Sequence, residues 1–337
     1  MTRRLLVMLI ACLALPGLAL AVTRPALPRL DPRAVSEVPS YVRQVEPALI
    51  ALRVRAPEEA VSSTRLGAQR FATGIVFDRR GYAVTVSYAL LDAVRIEAQL
   101  RGGRTVTARL TGLDLETGLG VVKLDGEGPW PAARLGQSED VQTGALTGTV
   151  GVDEDNDLAW VTSRVQGVRR FSGYWEYMLD RALFVGPSTE SWGGSAVVDP
   201  RGAVVGIASL RLGDPPHVNV AIPIAKFVEV KDELVNAGRV VSRPPRPWLG
   251  LYTIPHNGSV VIDGFSPNGP AREAGFRRGD RIVGVNGVSI GSQEEFYEQL
   301  WRGRAGDVVR VAVQRDARVH VIAVQSVDRY RLLRMGR

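Results

Sequence analysis

Between residues 50 and 222 the chain breaks into about a dozen short apolar runs, each bounded by Gly, Asp or Pro, with no helical pattern alternating between them. A parallel sheet is thereby disfavoured, because parallel neighbours need a crossover connection that is usually a helix. The pattern predicts strands joined by tight turns that close into a barrel or stack as a sandwich. The predicted strands fall at 50–54, 71–77, 82–86, 95–100, 105–110 and 120–124. A second set follows at 145–152, 158–165, 196–198, 203–210 and 218–222. The 36 glycines and 20 prolines supply the turns that so many short strands require.

Periodicity changes after residue 223. Ile224, Phe227, Val228, Val230, Leu234 and Val235 recur mainly at three and four positions, which predicts a helix over 224–237 stopped by Gly238. Arg243-Pro244-Pro245-Arg246-Pro247 is then extended and stiff, because each proline fixes its own φ and restricts the residue before it. That segment reads as an interdomain linker. From Trp248 a compact unit follows, with strands predicted at 260–265, 281–285, 308–314 and 319–324 and helices at 271–274 and 293–300.

The first residues carry Arg3 and Arg4, an apolar stretch from Leu5 to Leu20, and the small-residue site Ala19-Leu20-Ala21. This predicts an export signal cleaved after Ala21 and a periplasmic protein, with retention as an inner-membrane anchor as the alternative. The one cysteine, Cys12, lies inside the signal, so disulfides, a thiol nucleophile and thiolate metal sites are not expected in the mature chain. No cofactor and no metal is expected, since no His-Glu cluster has ligand spacing. The net charge of +7 is scattered along the chain, which argues against nucleic-acid binding. The one local basic excess is the tail from Arg329 to Arg337, a weak candidate for an anionic membrane surface.

Three segments carry a family resemblance. They are Thr73-Gly74-Ile75-Val76-Phe77-Asp78 with Gly81-Tyr82-Ala83-Val84-Thr85, then Asp114-Leu115-Glu116-Thr117-Gly118-Leu119-Gly120-Val121-Val122-Lys123, then Asn219-Val220-Ala221-Ile222-Pro223. In this order and spacing they resemble the HtrA/Deg family of trypsin-like serine proteases. The C-terminal unit resembles that family's PDZ domain through Trp248-Leu249-Gly250-Leu251, Pro267-Asn268-Gly269-Pro270-Ala271, Ala274-Gly275-Phe276-Arg277-Arg278-Gly279-Asp280 and Val285-Asn286-Gly287. The implied fold is mostly β: a trypsin-like double β-barrel followed by a small α+β PDZ domain. The implied plan is a signal peptide at 1–21, a Pro-rich lead at 22–40, the double barrel at 41–237, a linker at 238–247, the PDZ domain at 248–327 and a basic tail at 328–337.

Serine protease chemistry needs a hydroxyl nucleophile, an imidazole base and a carboxylate that orients it. By the resemblance, the histidine of Gly-Tyr-x-x-Thr-x-x-His maps to Tyr88, and the aspartate of Thr-Asp-Leu-Ala-Val maps to Gly118. The nucleophile segment, Ser191-Trp192-Gly193-Gly194-Ser195, fits the family's Gly-Asn-Ser-Gly-Gly-Pro in two registers. A gap-free match to the following Asp199 puts Gly193 at the nucleophile and is preferred; matching the glycine pair puts Trp192 there. Losing the three groups together removes on the order of a millionfold in turnover. The resemblance therefore implies a pseudoprotease. Ser191 and Ser195 are the displaced alcohols. His217, the one histidine of the barrel region, stands in a polar loop and reads as a solvated side chain.

In PDZ domains a loop of the form x-Φ-Gly-Φ presents backbone N–H groups to a peptide's terminal carboxylate. By resemblance Leu249, Gly250 and Leu251 form that loop, and Phe296 faces the groove or the core. The expected partners are polypeptide C-termini or unfolded proteins, and an active protease of the same family. Family members form trimers through N-terminal aromatics, for which Tyr41 is the candidate. The expected role is peptide binding and regulation in protein quality control without hydrolysis. Two alternatives stand beside it: an active serine endopeptidase using non-standard residues, and a barrel that is pure scaffold for the PDZ unit.

Overall fold

Alternation along the strands decides which face meets the core. In the computed structural model, which describes residues 38–333, a helix α1 (Ser40–Val45) leads into β1 (Leu49–Arg55). The predicted signal, most of the lead and the end of the basic tail lie outside the described residues. A short α2 (Ser63–Leu66) precedes β2 (Gln69–Asp78) and β3 (Tyr82–Val86). Then come α3 (Ser87–Leu90), β4 (Arg95–Leu100), β5 (Thr105–Asp114) and β6 (Leu119–Leu124). In β4, Ile96 and Ala98 are buried while Arg95 and Glu97 turn outward, the period-two pattern of a half-buried strand. These six strands close into a barrel in the order β1-β2-β3-β6-β5-β4.

A second closed barrel is built from β7 (Leu146–Val152), β8 (Leu158–Gly173), β9 (Tyr177–Gly186), β10 (Ala196–Val198), β11 (Val204–Leu212) and β12 (Val218–Pro223). Its order, β7-β8-β9-β12-β11-β10, repeats the topology of the first. The predicted helix appears with the expected bounds as α4 (Ile224–Ala237), which buries Ile224, Phe227, Val230 and Leu234.

The C-terminal unit is a six-stranded antiparallel sheet of β13 (Leu251–His256), β14 (Ser259–Phe265), β15 (Arg281–Val285), β16 (Val288–Ser289), β17 (Val308–Arg315) and β18 (Arg318–Gln325). One helix, α5 (Gln293–Leu300), covers it. Ser292 caps α5 by accepting from the Glu295 N–H at 3.1 Å, and Phe296, Tyr297 and Leu300 are buried beneath it.

Four expectations need correction. The strand β9 was not foreseen, because Asp180-Arg181 interrupts its apolar pattern, and β8 runs to Gly173 instead of ending at 165. The helix expected at 271–274 is a single 3-10 turn, Pro270–Arg272. The basic tail does not begin free at 328. Arg329–Leu332 forms a 3-10 turn, and Tyr330 reaches the first barrel, where its hydroxyl accepts from the Leu115 N–H at 3.0 Å and donates to the Leu113 carbonyl at 3.2 Å. Tyr41 is buried within its own barrel pair, with its ring against Gly148 and its hydroxyl 2.7 Å from Thr162 Oγ1, so it offers no aromatic surface for a trimer.

The Pro-rich linker is pinned to the barrel. Arg243 Nη2 lies 2.7 Å from a carboxylate oxygen of the fully buried Asp114, and Arg246 Nε lies 3.0 Å from Glu116.

Candidate functional site

Tyr88, Gly118, Trp192 and Gly193 come together around one cleft, delivered by three different segments. Tyr88 follows β3 on α3, Gly118 sits in the tight connection between β5 and β6, and Trp192-Gly193 lies in the turn before β10. Tyr88 donates its hydroxyl to the Ser209 carbonyl at 3.0 Å. Burial pushes its phenol well above the ordinary value, so it stays a neutral donor and cannot serve as a base near neutral pH. A Cβ placed on Gly193 would stand 3.0 Å from the Tyr88 hydroxyl, which makes these two positions face each other.

At Gly118 the backbone has φ +84°, a left-handed conformation that L side chains rarely adopt. Its N–H donates to the Asp114 carbonyl at 2.9 Å, and its own carbonyl accepts from Ser87 at 2.7 Å. A Cβ there would lie 3.2 Å from the Tyr177 hydroxyl and 3.4 Å from the Tyr177 ring. That phenol is fixed by donating to the Thr117 carbonyl at 2.7 Å. The nearby carboxylates are engaged elsewhere: Asp114 accepts from Thr117 Oγ1 at 2.7 Å, and Glu116 meets Arg246 of the linker.

Among the described residues, neither displaced alcohol is hydrogen-bonded to an imidazole. Ser195 is completely buried and donates to the Ser191 carbonyl. The N–H groups of Gly194 and Ser195 are spent on the carbonyls of Ala208 and Trp192, at 2.9 and 3.1 Å. His217 Nδ1 lies 2.7 Å from the Gly213 carbonyl, and among the described residues no hydrogen bond joins it to a serine.

The cleft opens into a cavity of about 390 Å³ between the barrels and the C-terminal sheet, lined by Tyr88, Tyr177, Trp192, Leu210, Trp175 and Tyr252 among others. Trp175 stacks on Tyr177 at a centroid distance of 5.4 Å. Such a wall suits apolar side chains, since aromatic faces bury much area at little conformational cost.

The second candidate site is the loop Leu249-Gly250-Leu251. Gly250 has φ +77°, and a Cβ there would come within 2.5 Å of the Gly269 Cα, so only glycine lets the loop adopt this shape. The loop's N–H groups converge on a carboxylate: Leu249 donates to Glu176 Oε2 at 3.0 Å and Leu251 to Oε1 at 2.7 Å. Burial pushes Glu176 up to about 7, opposed by the N–H groups of Leu249, Leu251 and Gly250 and by Arg329. Phe296 is wholly buried in the core beneath the groove. Sequence reasoning missed Glu176 and Tyr297. The one local signal was an acid inside the otherwise apolar run Tyr174-Trp175-Glu176-Tyr177-Met178.

Residues 72–207 match the trypsin-like peptidase domain family, and residues 247–325 match the PDZ domain family. The chain is similar to the serine endoprotease DegS of Salmonella typhimurium, 27% identical over 331 residues, covering 89% of this chain and 91% of that protein. It is 26% identical to a Halomonas elongata protein named "Probable periplasmic serine endoprotease DegP-like", over 76% of this chain and 56% of that one. Among solved structures, the HtrA-type protease AlgW with a decapeptide superposes with a TM-score of 0.54 at 21% identity, covering 88% of this chain and 99% of AlgW; this likeness concerns the fold.

Proposed function

Starting from homology to the HtrA and DegS serine proteases with one C-terminal PDZ domain, we propose that this chain is a periplasmic, non-hydrolytic member of that group that binds polypeptides and regulates through its PDZ groove. In this reading Tyr88, Gly118 and Gly193 stand where the base, its orienting carboxylate and the nucleophile would be. One position carries the reading: at Gly118 the backbone has φ +84°, which L side chains rarely adopt, and a Cβ would crowd the Tyr177 hydroxyl at 3.2 Å, so both the backbone and its neighbour disfavour a carboxylate behind Tyr88. With Tyr88 a neutral donor and a glycine at position 118, the two matched positions supply neither an imidazole base nor the carboxylate that would orient one. What it retains is an aromatic cavity suited to apolar side chains of an extended polypeptide. The periplasmic location follows from the Arg3-Arg4 export signal and from the name of the Halomonas relative.

Steady-state digestion of unfolded casein by the purified mature chain tests this. Casein remaining intact is expected; turnover that persists through purification and is lost in Ser191→Ala or Ser195→Ala would overturn it.

A further inference from the structure

The tip of the β8–β9 hairpin, Gly173-Tyr174-Trp175-Glu176, leaves the second barrel and lies along the edge of β13. The Thr253 N–H donates to the Tyr174 carbonyl at 2.9 Å. Two residues on, the Glu176 carboxylate meets the N–H of Leu251, two residues before Thr253. The Tyr174 carbonyl thus meets Thr253 and the Glu176 side chain meets Leu251, so the hairpin turn sets one backbone carbonyl and one carboxylate against the start of β13 at the Leu249-Gly250-Leu251 loop, running antiparallel to the strand. Peptides that join a sheet edge and terminate in such a loop make the same two kinds of contact.

The helix closes over the same segment. Tyr297 of α5 donates to the Gly173 carbonyl at 2.6 Å and accepts from the Glu176 N–H at 3.2 Å. Ser172 Oγ donates to Glu294 at 2.6 Å, and Arg170 pairs with Glu298 at 2.7 Å. Met178, from β9 of the barrel, joins the core of the C-terminal unit with Leu249, Leu251, Phe296 and Leu300. Glu176 itself is 6% exposed and holds φ +56°, a conformation that non-glycine residues seldom adopt. A glutamate is found there because its carboxylate satisfies the loop.

We propose that residues 173–176 are an internal ligand of the PDZ groove, in which the Glu176 side chain stands in for the terminal carboxylate of a bound peptide. An incoming polypeptide C-terminus and the barrel's own hairpin then compete for one site. The competition half of this inference rests on the peptide-binding reading proposed above; the occupancy half does not. Because the hairpin is tethered, its local concentration is on the order of millimolar, and a free peptide must displace it. The apparent affinity for a peptide falls by the fraction of molecules whose groove is open. Displacement would also free the hairpin that carries Trp175 and Tyr177 in the barrel cleft, so occupancy of the groove and the shape of the cleft are coupled.

The test uses the mature chain, Glu176→Gly, which suits the positive φ and removes the carboxylate, and Glu176→Gln, which keeps an accepting oxygen. Amide hydrogen exchange at Leu249, Leu251 and Thr253 reads occupancy without any added ligand. Binding of labelled peptides ending in free Val, Leu or Phe, with the same peptides amidated as controls, reads competition. Exchange about tenfold faster in Glu176→Gly than in wild type, with Glu176→Gln between them, is expected. Free-acid peptides should bind Glu176→Gly about tenfold more tightly than wild type, and amidated peptides should bind neither. Equal exchange in all three proteins would overturn the internal ligand, as would equal peptide affinity for wild type and Glu176→Gly. Faster exchange in the variant with no peptide bound by any form would support occupancy while removing the peptide-binding reading.

Discussion

The Tyr177 hydroxyl stands 3.2 Å from where a Cβ on Gly118 would lie, so β9 of the second barrel closes on the β5–β6 connection of the first. The phenol is held there by its own hydrogen bond to Thr117, so space at position 118 cannot be regained by a simple rotation of the ring.

Gly118→Ala is therefore expected to cost about 1–3 kcal/mol, from the left-handed backbone and the close contact together. In a Tyr177→Phe background the cost should be smaller, because the nearest atom is gone, but not zero, because φ remains +84°. Urea denaturation of the two single variants and the double variant measures this. Additive effects would show that the contact is not the source of the penalty.

The linker carries a second prediction. Among the described residues Arg243 is the one cationic side chain hydrogen-bonded to the fully buried Asp114, so Arg243→Ala leaves that carboxylate, among those residues, with Thr117 and the Glu116 N–H. A loss of about 2–4 kcal/mol is expected, together with faster proteolytic nicking between residues 238 and 247. Arg246→Ala should cost less, because its partner Glu116 is less buried than Asp114 and keeps Arg243 beside it at 3.2 Å. Thermal melts and limited proteolysis compare the two.

Glu176 sets a pH dependence. Its folded value of about 7 lies above the ordinary 4.5, so between these values the folded chain binds this proton more tightly than the unfolded chain. The stabilisation from this group is complete below about pH 4.5 and lost as pH rises through about 7. Arg329 from the C-terminal turn faces the same carboxylate and holds its value down, while the Tyr297 hydroxyl of α5 accepts from the Glu176 backbone N–H. The melting temperature of wild type relative to Glu176→Gln should fall from pH 5 to pH 8. A constant difference would contradict the assignment.

Much of this was legible in the chain. The turn-bounded apolar runs pointed to a barrel or sandwich, the resemblance to a double barrel, and the three- and four-residue spacing to α4 with its observed bounds; the helix expected at 293–300 is α5. Leu249-Gly250-Leu251 fits the x-Φ-Gly-Φ loop by resemblance, and the φ of +77° at Gly250 shows why a glycine stands there. What remained hidden depends on tertiary proximity. Asp180 and Arg181 broke the pattern of β9, and with β9 unseen neither Tyr177 beside Gly118 nor Glu176 in the PDZ loop had a place. Tyr330 lies more than 200 residues from the barrel groups it bonds, and no local pattern encodes such a contact.

The central claim is that no alcohol in this chain is activated for acyl transfer. The most direct measurement is intact-mass and peptide-mapping analysis of the mature chain after treatment with a fluorophosphonate, which forms a stable adduct with an activated serine. No serine adduct is predicted across pH 6 to 9. A stoichiometric adduct on Ser191 or Ser195, abolished by prior denaturation, would contradict it.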